Sequence, residues 1–478
     1  MSLNNKLISL FPERPEISAD KIDDNLAASL FPEGSTRLAH MRRVSEMSTR
    51  IARQLKLPAK QADKLITAAL FHDVGYSEKL KRTGFHPLDG AVFLAHLGVN
   101  EEIVETVLWH SSTIHDITYL PEIKAVYDKL TPRPENSFML KIVSFSDFRS
   151  SPVGEAFSFG QRISELMERY GTESSQVATS KTMLGASQET LREYVDKIRK
   201  VHGLKLPWIF CDIDNTLVHP GTLLNETSRQ AIHRYMDAGG KFSLVTGKHL
   251  ISIMNYIKEG GLPGPHSGIN GSVIYENDSI KPFGPVLHSV VELEDILMAE
   301  GIHYTSYCED SIWTRCELTE AEIERYKEVA EVLPRKGATP QDLPVFKILT
   351  FSPQSNRERC GFVRKLALKN DLGCVRTSKH FLELMPKGHG KHSAAMEIMR
   401  RAEWPDLFSI AIGDSENDMQ MLGISGYSAA VSNAEPEVAA AADLHLPHCE
   451  ENGVATLLDA LVENAEAQDW QLPEQFLN

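Results

Sequence analysis

PWIFCDIDNTLV, Pro207 to Val218, decides the fold class of the carboxyl-terminal half of the chain. Trp208, Ile209, Phe210 and Cys211 form an apolar run suited to a strand buried on both faces of a parallel sheet. Asp212 and Asp214 then fall at or just past its carboxyl end. In an open α/β sheet the crevice beyond the carboxyl ends of the strands collects groups from several loops, so two carboxylates there can act on one ligand. A strand leaving into a turn also favours Asp and Asn for local reasons. The reading therefore depends on what the rest of the chain brings to the same edge.

Three further pieces converge on it. FSLVTGK is a strand leading to Thr246 and Gly247, where a hydroxyl and open amides can hold phosphoryl oxygens. PKGHGK supplies Lys391, which can neutralise an anion. SIAIGDSEND is again strand then loop, with Asp414 and Asp418 four residues apart and expected on one side of the following helix turn. Four carboxylates around one spot repel one another unless a hard cation sits among them, and carboxylate oxygens suit Mg2+. A nucleophilic carboxylate, a second carboxyl group for proton transfer, Mg2+, a Thr and a Lys are the parts of phosphoryl transfer through an aspartyl-phosphate.

The order DIDNTL, VTGK, PKGHGK, GDSENDMQML resembles the haloacid-dehalogenase superfamily of phosphatases over about Leu206 to Leu461. INGS at Ile269 to Ser272, VSNA at Val431 to Ala434 and NGVATLL at Asn452 to Leu458 are similar to the subgroup with a large α/β cap before the motif lysine, which includes Cof-type and sucrose-phosphate phosphatases. The resemblance implies Asp212 as nucleophile, Asp214 as general acid and then base, and Thr246 and Lys391 as phosphoryl-holding groups. It puts Asn270 and Asn433 near the substrate, and Mg2+ on Asp212, the Asp214 carbonyl and Asp414 with Asp418 in support. Asn215 and Lys248 stand where many relatives have Gly and Arg.

The amino-terminal half reads as helical. Leu38, Met41, Val44, Met47 and Ile51 recur at three- and four-residue steps, a second helix runs into His72-Asp73, a third starts after His86-Pro87, and Glu101 to Trp109 ends at His110. Leu140 to Phe148 is a further apolar stretch and carries Asp147. No alternating β pattern precedes Trp208. A His-Asp doublet at a helix end offers a metal one imidazole and one carboxylate, and the other ligands must come from elsewhere in the bundle. ALFHDVGY, GFHPLDGAVFL, VLWHSS and VSFSDF, spanning about Arg37 to Phe159, resemble the HD-domain metal-dependent phosphohydrolases. That resemblance implies His40, His72, Asp73 and Asp147 as core ligands of a divalent transition metal such as Mn, Fe, Co or Zn, with His86 and His110 able to help bind a second. Some two-metal relatives have paired histidines where this chain has His110-Ser111.

The expected architecture is multidomain: an all-α HD-type domain followed by a Rossmann-like α/β core with an inserted α/β cap. Residues 1–34 are expected as a loosely structured lead-in, 35–170 as the helical domain, 171–206 as a helical connector, 207–276 and 386–478 as the core, and 277–385 as the cap. The chain has 478 residues and a formal charge of −15, which argues against a nucleic-acid partner because phosphate-backbone binding needs clustered Lys and Arg. Six cysteines without C-x-x-C spacing fit a reduced, cytoplasmic protein. No apolar run approaches membrane-spanning length. The expected function is a bifunctional hydrolase of small phosphorylated metabolites, with a sugar-phosphate-like monoester at the Asp212 site and a nucleotide or related ester at the helical domain. The alternative makes the helical domain a ligand-sensing or assembly module without turnover. Nothing in the pattern opposes a homo-oligomer.

Overall fold

A computed structural model describes residues 1–17, 19, 21–134, 137–172, 174–329, 332–465 and 472–477. The chain divides into two compact units, Met1–Gly203 and Leu204–Asn478. No helix among the described residues is long and apolar enough to cross a membrane.

The first unit is helical. Its helices include Thr36–Gln54, Ala59–Phe71, His86–His96, Glu101–Trp109, Phe138–Phe148, Phe159–Tyr170 and Ser175–His202. Their starts follow capping chemistry: Ser35, Asn100 and Ser137 side chains accept from Leu38, Glu102 and Leu140 N–H groups, and Ser158 forms a capping box with Gln161. The stripe Leu38, Met41, Val44, Met47 and Ile51 is buried, as its spacing predicts.

Two expectations are corrected here. The lead-in is not loosely structured: Leu3–Leu10 and Asp24–Ser29 are helices, with Leu3, Leu7, Leu26 and Ala27 buried. Leu3–Leu10 packs on His86–His96, and the Leu3 N–H donates to Glu101. The stretch expected as a connector is mostly the helix Ser175–His202, which packs on Phe138–Phe148 and Phe159–Tyr170. Its Leu191, Tyr194, Val195 and Ile198 are buried, so its apolar face makes it part of the first unit.

The second unit is built on a five-stranded parallel sheet in the order Leu444–Leu446, Tyr427–Val431, Ser409–Gly413, Trp208–Cys211, Lys241–Leu244. Trp208–Cys211 is buried throughout and lies between the strands ending at Gly413 and Leu244. Asp212, Asp414 and Thr246 thus leave the sheet at neighbouring carboxyl ends. The cap sheet has six strands in the order Leu372–Ser378, Phe381–Pro386, Lys347–Phe351, Tyr304–Tyr307, Ile312–Thr314, Arg335–Lys336. Ile348, Leu382 and Leu384 pack into the cap core with Leu293, Leu297 and Val363. The alternate positions Lys347, Leu349 and Glu383 face a cavity shared with the core. The strand Ser279–Pro282, expected inside the cap, pairs with Val273–Glu276 in a small antiparallel sheet.

Candidate functional site

At the carboxyl edge of the parallel sheet, Asp212, Asp414 and Asp418 each offer an oxygen within 4.8 Å of the others. Lys391, the first residue of the helix Lys391–Arg401, places its ammonium 2.9 Å from Asp212 Oδ1 and 2.7 Å from Asp418 Oδ1. The approach depends on Gly271: a Cβ there would meet Gly390 O at 2.2 Å. Asp418 does not share a helix face with Asp414, as its spacing predicts. A 3-10 turn, Glu416–Asp418, folds its Oδ2 back to accept from the Asp414 and Ser415 N–H groups at 3.1 and 3.2 Å. Thr216 Oγ1 donates to Asp414 Oδ1 at 2.6 Å.

The electrostatics follow from this crowding. Burial, together with the neighbouring Asp212 and Asp418, pushes Asp414 well above the usual carboxylate range. Burial also raises Asp418, against the pull of Lys391. Burial opposes the charge on Lys391, but Asp212 and Asp418 outweigh it and raise its pKa. Crowded carboxylates of this kind fit a divalent cation, which would replace protons as the relief of their repulsion.

Asp214 turns to a different cation. Its Oδ2 lies 3.1 Å from Lys248 Nζ, and its buried Oδ1 has no hydrogen-bond partner. Burial raises its pKa to about 6 against the lowering effect of Lys248. Asp212, Asp214, Thr246, Lys248, Asp414 and Asn433 line a cavity of about 680 Å³, with Tyr307, Lys347, His380 and Glu383 contributed by the cap. Asn270 donates to Glu383 and accepts from Asn417 Nδ2 at 3.1 Å. Asn433 holds backbone: Nδ2 donates to Asn215 O at 2.6 Å and Oδ1 accepts from Cys449 N at 3.0 Å.

In the first unit His40, His72, Asp73, His86, His110 and Asp147 come together. Gly75 allows it, because a Cβ there would lie 2.0 Å from His86 O, so only glycine lets the turn Val74–Tyr76 sit against the start of His86–His96. His40, His72 and His110 each bind a backbone carbonyl through Nδ1, at 2.9, 2.8 and 2.7 Å. Those carbonyls accept a hydrogen bond from Nδ1–H, which turns Nε2 toward the carboxylates and, where the ring is neutral as in His72, leaves its lone pair facing them. His72 Nε2 is buried without a hydrogen-bond partner, 3.6 Å from Asp73 and 3.9 Å from Asp147, and burial lowers its pKa to about 4. A buried lone pair facing two carboxylates fits a metal cation between them.

Two overlapping ligand groups are present: His40, His72 and Asp147, and His72, Asp73 and His110. His86 Nε2 is 3.2 Å from Asp73 Oδ1 and 3.3 Å from His110 Nε2. Ser111, next to His110, donates to Asp147 Oδ2.

Sequence reasoning missed several neighbours. Arg37 pairs with Asp73 and lies 4.0 Å over the Tyr76 ring, which stacks on His86 at 4.0 Å. Its place three residues before His40 on one helix face was the available signal. Lys347, Glu383 and Asn417 were missed at the other site; for Lys347 and Glu383 the signal was a lone charge inside the apolar strands VFKILTF and FLELMP.

Comparisons with known proteins agree with this division. Residues 209–458 match the family of haloacid dehalogenase-like hydrolases, and residues 37–133 match the HD domain. The chain is 24% identical to the 5-amino-6-(5-phospho-D-ribitylamino)uracil phosphatase YwtE of Bacillus subtilis, over 53% of this chain and 97% of that one. It is 25% identical to the pyridoxal phosphate phosphatase YbhA of Escherichia coli, over 49% and 91%. A solved haloacid dehalogenase-like hydrolase from B. subtilis is 20% identical, covers 53% of this chain and 99% of its own, and has a TM-score of 0.47. The match takes in the strand before Asp212, the Lys391 helix and the Asp414 loop, and the chain belongs to the haloacid dehalogenase-like hydrolases, with an HD domain in its amino-terminal unit.

Proposed function

We propose that the carboxyl-terminal unit is a Mg2+-dependent phosphatase for a small phosphorylated metabolite. The observation that carries this is the convergence of Asp212, Asp414, Asp418 and Lys391, with Asp212 and Asp414 opening into a cavity that the cap also lines. The Asp212 carboxylate attacks phosphorus, the P–O bond to the leaving alcohol breaks, and Asp214, whose raised pKa favours its protonated form, gives that oxygen a proton. Asp214 then takes a proton from the water that attacks the aspartyl-phosphate, which frees inorganic phosphate and restores Asp212. Thr246 and Lys391 hold the phosphoryl oxygens. Mg2+ on Asp212, the Asp214 carbonyl and Asp414 would supply charge neutralisation at the phosphoryl group.

Two relatives are named for monoesters of a ribitylaminouracil and of pyridoxal, which supports the class of small phosphorylated metabolites. The polar lining, with Thr377, Ser378, His380 and Glu435, favours a sugar-phosphate-like ester with several hydroxyl groups.

The HD domain is read as a second hydrolase for a nucleotide or related phosphoester. His40, His72, Asp73 and Asp147 would hold a divalent transition metal, and His86 and His110 are placed to share a second. The bound ion would lower the pKa of a water aimed at phosphorus.

The test is phosphate release from sugar phosphates, nucleotides and cyclic nucleotides by the wild type, Asp212→Asn and Asp73→Ala. Each variant is expected to abolish a different set of activities. Loss of all turnover in Asp212→Asn, with Asp73→Ala only shifting rate or affinity, would make the HD domain a ligand-sensing module instead.

A further inference from the structure

Lys347 and Glu383 are a buried ion pair on neighbouring cap strands, 2.7 Å apart, with side chains 1% and 2% exposed. Stability alone does not explain them, because replacing a buried pair by apolar residues is often neutral or stabilising. Each charge instead reaches out of the cap to one core loop. Lys347 Nζ donates to Gly247 O at 2.8 Å and lies 4.4 Å over the Tyr307 ring. Glu383 Oε2 accepts from Asn270 Nδ2.

The Gly247 contact acts across a planar peptide, in which the C=O and the following N–H point in opposite directions. With Gly247 O turned to Lys347, the Lys248 N–H donates to Thr246 Oγ1 at 3.2 Å. A Thr246 hydroxyl that accepts from that side keeps its own hydrogen to donate into the cavity it lines. Asn270 is held at both ends, by Glu383 and by Asn417, and its backbone N–H donates to Thr246 O at 3.0 Å.

We propose that Lys347 and Glu383 are positioning residues for phosphoryl transfer: the ammonium orients the Gly247–Lys248 peptide and the carboxylate orients Asn270, so the phosphoryl cradle is complete only with these cap strands seated. The inference rests on the phosphatase reading of the Asp212 site. It goes beyond that reading by giving the cap a part in binding the phosphoryl group, separate from any choice of leaving group.

The experiment compares the wild type, the double variant Lys347→Met/Glu383→Leu and the single Glu383→Gln, all with Mg2+. It reads thermal stability, orthovanadate affinity by calorimetry, and kcat and KM for p-nitrophenyl phosphate and a bulkier sugar phosphate. The double variant removes both charges, so it is expected to melt near the wild type while vanadate affinity and kcat/KM fall roughly tenfold or more, equally for both esters. Glu383→Gln keeps the side-chain shape and is expected to change in the same direction by less.

Vanadate affinity and kcat/KM within about twofold of wild type in both variants would overturn the proposal. A loss confined to the bulkier ester, with vanadate binding intact, would also overturn it and make Lys347 a selector of leaving groups. If the wild type hydrolyses no monoester, the phosphatase reading fails, and vanadate affinity still decides the positioning role.

Discussion

Lys248 Nζ lies 3.1 Å from Asp214 Oδ2, with the lysine side chain 1% exposed, so the carboxyl group proposed for proton transfer has its own cation, separate from the Lys391 that faces Asp212. Replacing Lys248 by Met removes the charge that holds the Asp214 pKa down against burial. Two effects are expected: kcat/KM falls by about ten- to a hundredfold as Asp214 loses its fixed position, and the alkaline limb of the pH–rate profile moves up. The sign follows because a general acid works below its pKa, and loss of a nearby cation raises that pKa. An alkaline limb that stays put or moves down in Lys248→Met would refute the pairing as the control on Asp214.

His266 gives a pH dependence away from the carboxylates. Its Nδ1 accepts from Leu244 N at 3.0 Å and its Nε2 lies 3.3 Å from Leu262 O, so the fold holds one neutral tautomer beside the strand that leads to Thr246. Burial lowers its pKa from 6.5 to about 4. Between these values the unfolded chain binds a proton that the native state refuses. The contribution is therefore complete above 6.5 and is lost as pH falls toward 4. The full window is worth about 3 kcal/mol. His266→Gln keeps an acceptor and a donor but does not titrate, so its urea-unfolding free energy should fall less than that of wild type between about pH 7 and about pH 4.5. Equal acid sensitivity of the two proteins would rule the assignment out.

The site was legible in the sequence where chemistry and secondary structure coincide. Asp212, Thr246 and Asp414 each follow an apolar strand, and three adjacent parallel strands necessarily deliver their ends to one edge. The cluster proposed to hold a metal in the HD domain was legible because His72-Asp73, His86 and His110 mark helix ends. Lys347 and Glu383 were not, because their meaning depends on a strand register between residues 36 apart in sequence. Period-2 alternation marks them only as interruptions of apolar strands. The helices Leu3–Leu10 and Asp24–Ser29 were hidden for another reason. Short helices are marginal by propensity, and Pro12, Pro15 and Pro32 suggest loop, while tertiary burial of Leu3, Leu7 and Leu26 stabilises them.

Gly75 tests the HD assembly without touching a ligand. A methyl group there would meet His86 O at 2.0 Å and Gly90 N at 2.7 Å, both backbone atoms that cannot rotate away. Gly75→Ala must displace the start of His86–His96 and with it His86 from Asp73. We expect a loss of about 1–3 kcal/mol in the first unit and a lower bound-metal content by mass spectrometry, with hydrolysis at the Asp212 site unchanged. Full metal content in Gly75→Ala would mean that the close approach of Val74–Tyr76 to the helix does not set the ligand geometry.

Thr216 separates the support of a proposed Mg2+-binding carboxylate from the carboxylate itself. Its side chain is fully buried and its hydroxyl donates to Asp414 Oδ1 at 2.6 Å, the contact that counters the rise of the Asp414 pKa caused first by burial. Thr216→Val keeps the shape and removes the donor, so Asp414 loses both orientation and part of the stabilisation of its charged form. A carboxylate that protonates more readily binds a cation less tightly. The Mg2+ concentration for half-maximal phosphatase activity should rise by about ten- to a hundredfold, with activity recovered at saturating Mg2+. Lowering the pH should widen the gap from wild type, because protons and Mg2+ compete for the same oxygen. An unchanged Mg2+ requirement would show that Asp414 is oriented without Thr216. A loss that saturating Mg2+ does not restore would instead place Thr216 in the chemistry of Asp212 and Asp214.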